Sequence, residues 1–153
     1  MDDIVIKDTL RITPIQTGDD RSIVQLVLNG YLDTYNSPDF QNHVKSLINS
    51  GIKTMLFNCV GLNYISSTGI GAFITFFKQL KSKSGDMVLF NLQKKVMDVF
   101  QILGFTRFFK IAPDLDGALK LVEKIDKPAS RVSKLEKSRL KGTKNVTKVR
   151  KNK

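Results

Sequence analysis

Apolar and polar positions divide the chain into short segments of two kinds. Leu10 to Gln16 and Ser22 to Leu28, the latter rich in Ile, Val and Leu, are strand-like, and Gly18-Asp19-Asp20 between them is turn chemistry, so the pair predicts an antiparallel hairpin. Ile4-Val5-Ile6 adds a short candidate strand. After Gly30, Asp33 to Pro38 reads as a loop that ends in a helix start, with Ser37 as the cap and Pro38 at the first helical position. Phe40, Val44, Leu47 and Ile48 then recur at helical spacing, and Asn49-Ser50-Gly51 ends the run.

The second half alternates. Thr54 to Cys59 has the length and apolar content of a buried strand and is followed by a loop, Gly61 to Thr68. From Gly69, the residues Ile70, Phe73, Ile74, Phe77 and Leu80 fall on one helical face, with Gly85 as terminator. Met87 to Leu92 is a strand. Val96, Val99, Phe100 and Leu103 mark a helix stopped by Gly104, Phe108 to Ile111 a last strand, and Asp114 to Ile125 a last helix. Strand-helix alternation requires parallel pairing, so the expected fold is α/β: a mixed sheet with an N-terminal hairpin and parallel later strands, covered by about four helices.

Charge changes this picture only at one end. The 153 residues carry +11, and eleven of the 25 Lys/Arg but one of the 14 acids fall in 127–153, which leaves +1 for residues 1–126. The expected organisation is a folded domain over 1–126 and a basic, disordered tail over 127–153, whose Ser, Thr, Asn and Lys content cannot offset an ordering cost of about 1–2 kcal/mol per residue. Specific nucleic-acid binding by the nearly neutral body is not expected, whereas the tail is suited to contact with a polyanion. One Cys and one His exclude an internal disulfide and a structural zinc site. The acidic start, Met1-Asp2-Asp3, and the lack of an apolar run of roughly 18–20 residues show no export or insertion signal, so a cytoplasmic location is expected.

Catalytic motifs are missing. There is no phosphate-cradling Gly-rich loop ending in Lys-Ser or Lys-Thr, position 74 is Ile where a dinucleotide fingerprint needs its third Gly, and His43 alone offers little choice of imidazole base. No enzymatic activity, cofactor or metal is expected. Ser66-Ser67-Thr68 is the unusual stretch: three hydroxyls at a helix start, where capping needs only one. Gly69 and Gly71 follow, each costing about 1 kcal/mol of helix propensity and baring the backbone amides.

Gly30-Tyr31-Leu32-Asp33, Phe57-Asn58, Ile65-Ser66-Ser67-Thr68-Gly69-Ile70-Gly71 and Gly85-Asp86-Met87-Val88-Leu89, in this order, resemble a STAS domain of the bacterial anti-sigma-factor antagonist type over roughly residues 8–125. The resemblance implies a non-enzymatic binding module. Its unmodified form would hold an anti-sigma serine kinase and so free a sigma factor for transcription, and a serine phosphatase would reset the phosphorylated form. It places the phospho-acceptor on Ser67, with Thr68 and Ser66 as alternatives, and the partner contacts on Asp33, Ser66, Ser67, Thr68, Gly69 and Gly71. Two family carboxylates are replaced here: the Asp of the Asp-Ser-Ser/Thr-Gly-Leu-Gly signature falls on Ser66, and the Glu of Gly-Glu-Leu-Asp on Tyr31. The alternative expectation is a STAS-type scaffold or regulatory subunit of another signalling or transport complex, with the basic tail on a polyanion.

Overall fold

Lys7 and Asp8 take left-handed φ values of 52° and 55° and turn the chain between β1 (Ile4–Ile6) and β2 (Leu10–Gln16). The turn at Gly18 then leads into β3 (Ile23–Leu32). The remaining elements are α1 (Ser37–Asn49), β4 (Thr54–Ile65), α2 (Ser67–Ser82), β5 (Asp86–Phe90), α3 (Lys94–Ile102), β6 (Lys110–Ala112) and α4 (Leu115–Ile125). This computed structural model describes residues 2–125, so the expectation of a disordered tail over 127–153 lies outside the described residues. One compact unit runs to Leu121; a second begins at Val122, and its described part is the end of α4.

The strands form one sheet in the order β1-β2-β3-β4-β5-β6. The first two pairings are antiparallel and the last three parallel, which is the mixed sheet expected. Alternation along β3 and β4 sends Val24, Leu26, Leu28, Met55, Phe57 and Cys59 into the main core. Phe57 meets Phe73 of α2 edge-on at 5.0 Å, and Phe40 of α1 meets Phe73 and Phe76 at 5.7 and 5.4 Å. Four fully buried rings thus lock α1 and α2 to the sheet, each pair contributing about 0.5–1.5 kcal/mol beyond its buried area. That packing fixes where the N-terminus of α2 stands.

Several boundaries differ from the sequence reading. β3 continues through Gly30-Tyr31-Leu32, and β4 continues to Ile65 instead of yielding to a loop at Gly61. Two register shifts, between Val27 and Asn29 and between Gly30 and Tyr31, keep the strands paired as far as Leu32 and Ile65. Gly30 makes this possible: its φ is 119°, and a Cβ there would lie 2.1 Å from the Thr9 carbonyl oxygen. Helix α2 begins at Ser67, two residues before Gly69, and Ser84, with φ 63°, turns the chain after it. In α1 the cap position is Asn36, and Ser37 is already helical, its hydroxyl donating to the Asp33 carbonyl. The last strand starts at Lys110 because Phe108 and Phe109 are used in an aromatic cluster with Phe77 and Phe105.

At the sheet end remote from α2's start, Asp86 is 2% exposed. Burial pushes its carboxyl up, but hydrogen bonds from Lys110, Lys81 and the Met87 amide outweigh it, holding the group below its ordinary value of 3.8. A depressed carboxyl contributes stability above its unfolded pKa and loses it as pH falls through the folded value. Asp86→Asn is therefore expected to lower stability by about 1–3 kcal/mol at neutral pH. Thermal unfolding followed against pH should show the gap to wild type constant from about pH 5 to 8 and closing below about pH 4.

Candidate functional site

The ends of β3 and β4 lie side by side, with Tyr31 opposite Tyr64 and Leu32 opposite Ile65. Each strand then delivers a polar loop. After β3 come Asp33 to Asn36; after β4 comes Ser66, whose amide donates to the Leu32 carbonyl at 2.9 Å and ties the second loop to the first.

Ser66 has extended φ/ψ of −94° and 169°, and its hydroxyl accepts from the Gly69 amide at 3.1 Å. It is the N-cap of α2. Ser and Asp share this chemistry, an oxygen placed to accept from the third helical amide, so Ser66 holds the helix start as an Asp there would. The hydroxyl next along is then free of structural duty: Ser67, the first helical residue, is exposed, and among the described residues its side chain has no hydrogen-bond partner. Thr68 is exposed too, but shares a 3.2 Å hydrogen bond with the Thr34 hydroxyl. Three adjacent hydroxyls therefore have three fates: one caps, one is free, one bridges.

The two glycines also separate. Gly69 is buried, and a Cβ there would lie 2.8 Å from Leu32 Cγ and 3.0 Å from Ile65 Cγ1, so its smallness lets α2 descend onto the strand ends. At Gly71 a Cβ would meet nothing within 4 Å. Gly71→Ala is accordingly expected to raise stability by about 0.5–1 kcal/mol, and Gly69→Ala to lower it by about 1–3 kcal/mol by overpacking. Denaturant unfolding of the two variants checks both signs.

Asp33 is half-buried, and its carboxylate accepts from the Asn36 amide at 2.9 Å. Asn36, not singled out by sequence reasoning, is the hub of this loop. It is fully buried; its Oδ1 accepts from the Asp33 amide at 2.9 Å, and its Nδ2 donates to Thr9 Oγ1 at 2.9 Å and to the Tyr31 carbonyl at 3.0 Å. Thr34, Tyr35 and Tyr64, which the structure exposes beside these loops, were likewise not singled out from the sequence. Their signal was available, since each stands within two residues of Asp33 or Ser66.

Ser66, Ser67, Thr68, Gly69 and Asp33 are thus gathered at one end of the sheet, and Gly71 lies one turn into α2. The geometry offers a solvent-facing hydroxyl at a helix N-terminus beside two loops. Among the described residues, no group of three His, Cys, Asp or Glu is placed to hold a metal ion, and no helix is long and apolar enough to cross a membrane. Burial pushes the Cys59 thiol up to about 12, so it stays protonated and takes no part in nucleophilic chemistry at neutral pH.

Known proteins are similar to this chain in sequence and in fold. The anti-sigma-B factor antagonist of Bacillus subtilis is 26% identical over 98 residues, which covers 63% of this chain and 88% of that one. Among solved structures, the anti-sigma factor antagonist SpoIIAA in its unphosphorylated form superposes with a TM-score of 0.63 at 22% identity, over 74% of this chain and 96% of that one. The Bacillus cell fate determinant SpoIIAA in its phosphorylated form gives 0.55 at 20% identity, over 72% and 98%. The family model for the STAS domain matches residues 14–118, and with the six-stranded mixed sheet and its helices this establishes that the chain belongs to the STAS domain family.

Proposed function

We propose that this chain is an anti-sigma factor antagonist whose capture of its partner is switched off by phosphorylation of Ser67. The observation that carries the reading is the free, exposed hydroxyl of Ser67 at the first position of α2, beside a Ser66 that already caps the helix. The family resemblance, and the relatives named as anti-sigma factor antagonists, support the biological setting. In this reading the partner is an anti-sigma factor that is also a serine kinase, and a serine phosphatase regenerates the capturing form.

The physical steps are short. A phosphate on Ser67 brings about −1.5 to −2 charges at pH 7. The N-terminal dipole of α2 and the nearby amides favour it by about 0.3–1 kcal/mol, so the domain carries it without refolding. A partner surface closed over Ser67 would have to bury that charge, at a cost on the order of 3–5 kcal/mol. Asp33, Thr68 and Gly71 border the same surface and are the proposed further contacts; Gly71→Ala, harmless to the fold, would intrude there.

Affinity purification from the native cell tests the reading. Wild type and Ser67→Ala should both recover an anti-sigma protein with a kinase domain, and Ser67→Asp should recover clearly less. Equal recovery by all three, or recovery of no such protein, would count against it.

A further inference from the structure

Half of the eight residues between Phe100 of α3 and Phe109 before β6 are large and apolar: Ile102, Leu103, Phe105 and Phe108. The core takes the two flanking rings, which are buried, but Ile102 is 82% exposed, Leu103 42% and Phe108 38%. An ordered turn holds them there. Gly104 ends α3 with φ 79°, the Phe105 amide donates to the Phe100 carbonyl at 2.8 Å, and the Phe108 amide to the Phe105 carbonyl at 3.1 Å. Ile102 stands about 200° round the helix from the buried Phe100, so it points away from the core. Single exposed apolar side chains are ordinary, whereas three on one compact turn mark a contact surface.

The ground around the turn is positive. Phe108 packs on Phe77 of α2 with ring centroids 4.8 Å apart, and the Lys81 ammonium lies 5.7 Å from the Phe77 centroid. Lys81 and Lys110 both reach Oδ2 of the buried Asp86, at 2.9 and 2.5 Å, and one carboxylate cannot neutralise two ammonium groups. Lys78 and Arg107 are exposed, and the Lys83 ammonium donates to the Ile48 carbonyl at 3.1 Å. Residues 78–110 carry seven Lys/Arg against two acids, and the second acid, Asp98, is paired with Lys94 at 3.0 Å. The same chain adds eleven Lys/Arg and one acid in 127–153. A protein groove would use the apolar turn but not this excess charge, and a nucleic acid the charge but not the apolar turn. An anionic membrane surface uses both.

We infer that the turn 102–108 docks this chain on an anionic lipid surface. Ile102, Leu103 and Phe108 enter the boundary between headgroups and acyl chains, and Lys81, Arg107 and Lys110 meet lipid phosphates. The turn leads into the start of β6, which runs parallel to β5 and β4, whereas Ser67 follows the end of β4. Membrane contact and Ser67 therefore lie at opposite ends of the sheet, and the docked chain keeps its hydroxyl open to a partner. The inference stands whether or not Ser67 is a switch.

The test is co-sedimentation of the full chain with vesicles of phosphatidylcholine alone or with about 30% phosphatidylglycerol. Wild type should bind the anionic vesicles and leave the neutral ones. Ile102→Ser should weaken that binding about tenfold and Arg107→Gln about fivefold, with thermal unfolding unchanged because both side chains stand in water. Since the chain has no Trp, a single substitution supplies a unique fluorophore. Emission of Ile102→Trp should move to the blue on anionic vesicles, and that of Tyr35→Trp, in the loop before α1, should stay put. No binding to anionic vesicles, or Ile102→Ser binding like wild type, would overturn the inference; the latter result would leave the attraction to charge alone. A blue shift at Tyr35 and none at Ile102 would also overturn it, as would a dimer in sedimentation equilibrium that Ile102→Ser splits, since the turn would then belong to a second copy.

Discussion

Phosphorylated on Ser67, the chain should bind its anti-sigma partner roughly a hundred- to several-thousandfold more weakly than the unmodified form. That span is what a buried charge costing about 3–5 kcal/mol gives at 1.4 kcal/mol per decade. The effect belongs to the interface and not to the fold. Ser67 is exposed, and Ser66 caps α2 through the Gly69 amide whether or not its neighbour is modified. The unfolding midpoint of the phosphorylated chain should therefore move by only a few degrees, upward if the helix dipole is felt. Isothermal titration of both forms against the partner, with thermal unfolding of each, separates the two quantities. A large drop in midpoint together with lost binding would mean that the hydroxyl supports the structure, contrary to its free position.

Asn36→Ala should do the reverse and damage the fold first. The amide of Asn36 is fully buried and satisfies the Asp33 amide, Thr9 Oγ1 and the Tyr31 carbonyl at 2.9–3.0 Å. Removing it strands three polar groups at about 1–3 kcal/mol each, less whatever water and relaxation recover, for an expected loss of about 3–5 kcal/mol. In a domain of this size that corresponds to a fall in Tm of roughly 10 °C or more. The loop it holds carries Thr34, whose hydroxyl meets Thr68, so partner binding should weaken as well. Asn36→Asp keeps the acceptor to the Asp33 amide but turns a buried carboxylate oxygen onto the Tyr31 carbonyl, and at neutral pH should be no more stable than Ala. Urea unfolding of the two variants gives the order; an Asn36→Ala domain as stable as wild type would show that the hub is dispensable.

Much of the fold is legible in the chain because period and punctuation agree. The hairpin, the four helices and the parallel order of the later strands follow from apolar spacing bounded by Gly, Asn and Ser. The end of β4 was not, and the reason is physical. Val60, Asn63 and Tyr64 face solvent and Gly61 packs against Asn29, so the segment has the composition of a loop while Leu62 and Ile65 carry the buried face. Long-range pairing with β3, invisible locally, holds it extended.

The site divides in the same way. A cluster of hydroxyls at a helix start can be read from sequence, but Ser66, Ser67 and Thr68 are equivalent by composition and part only in three dimensions. Successive helical residues turn about 100°, which aims one hydroxyl at an amide, one at solvent and one at Thr34. Asn36 lay hidden because its partners, Thr9 and Tyr31, come from two different strand ends. The tyrosines stand next to the motif residues in sequence, but that their rings are exposed and not packed in the core is decided only by the fold.

In the proposed switch Ser67 is the acceptor, and one experiment reads this directly. Incubation of the full chain with its anti-sigma kinase and ATP, followed by peptide mass spectrometry, should find a single phosphate on Ser67, absent from Ser67→Ala and undiminished in Ser66→Ala and Thr68→Ala. Phosphate that persists in Ser67→Ala and vanishes in Thr68→Ala or Ser66→Ala would contradict it.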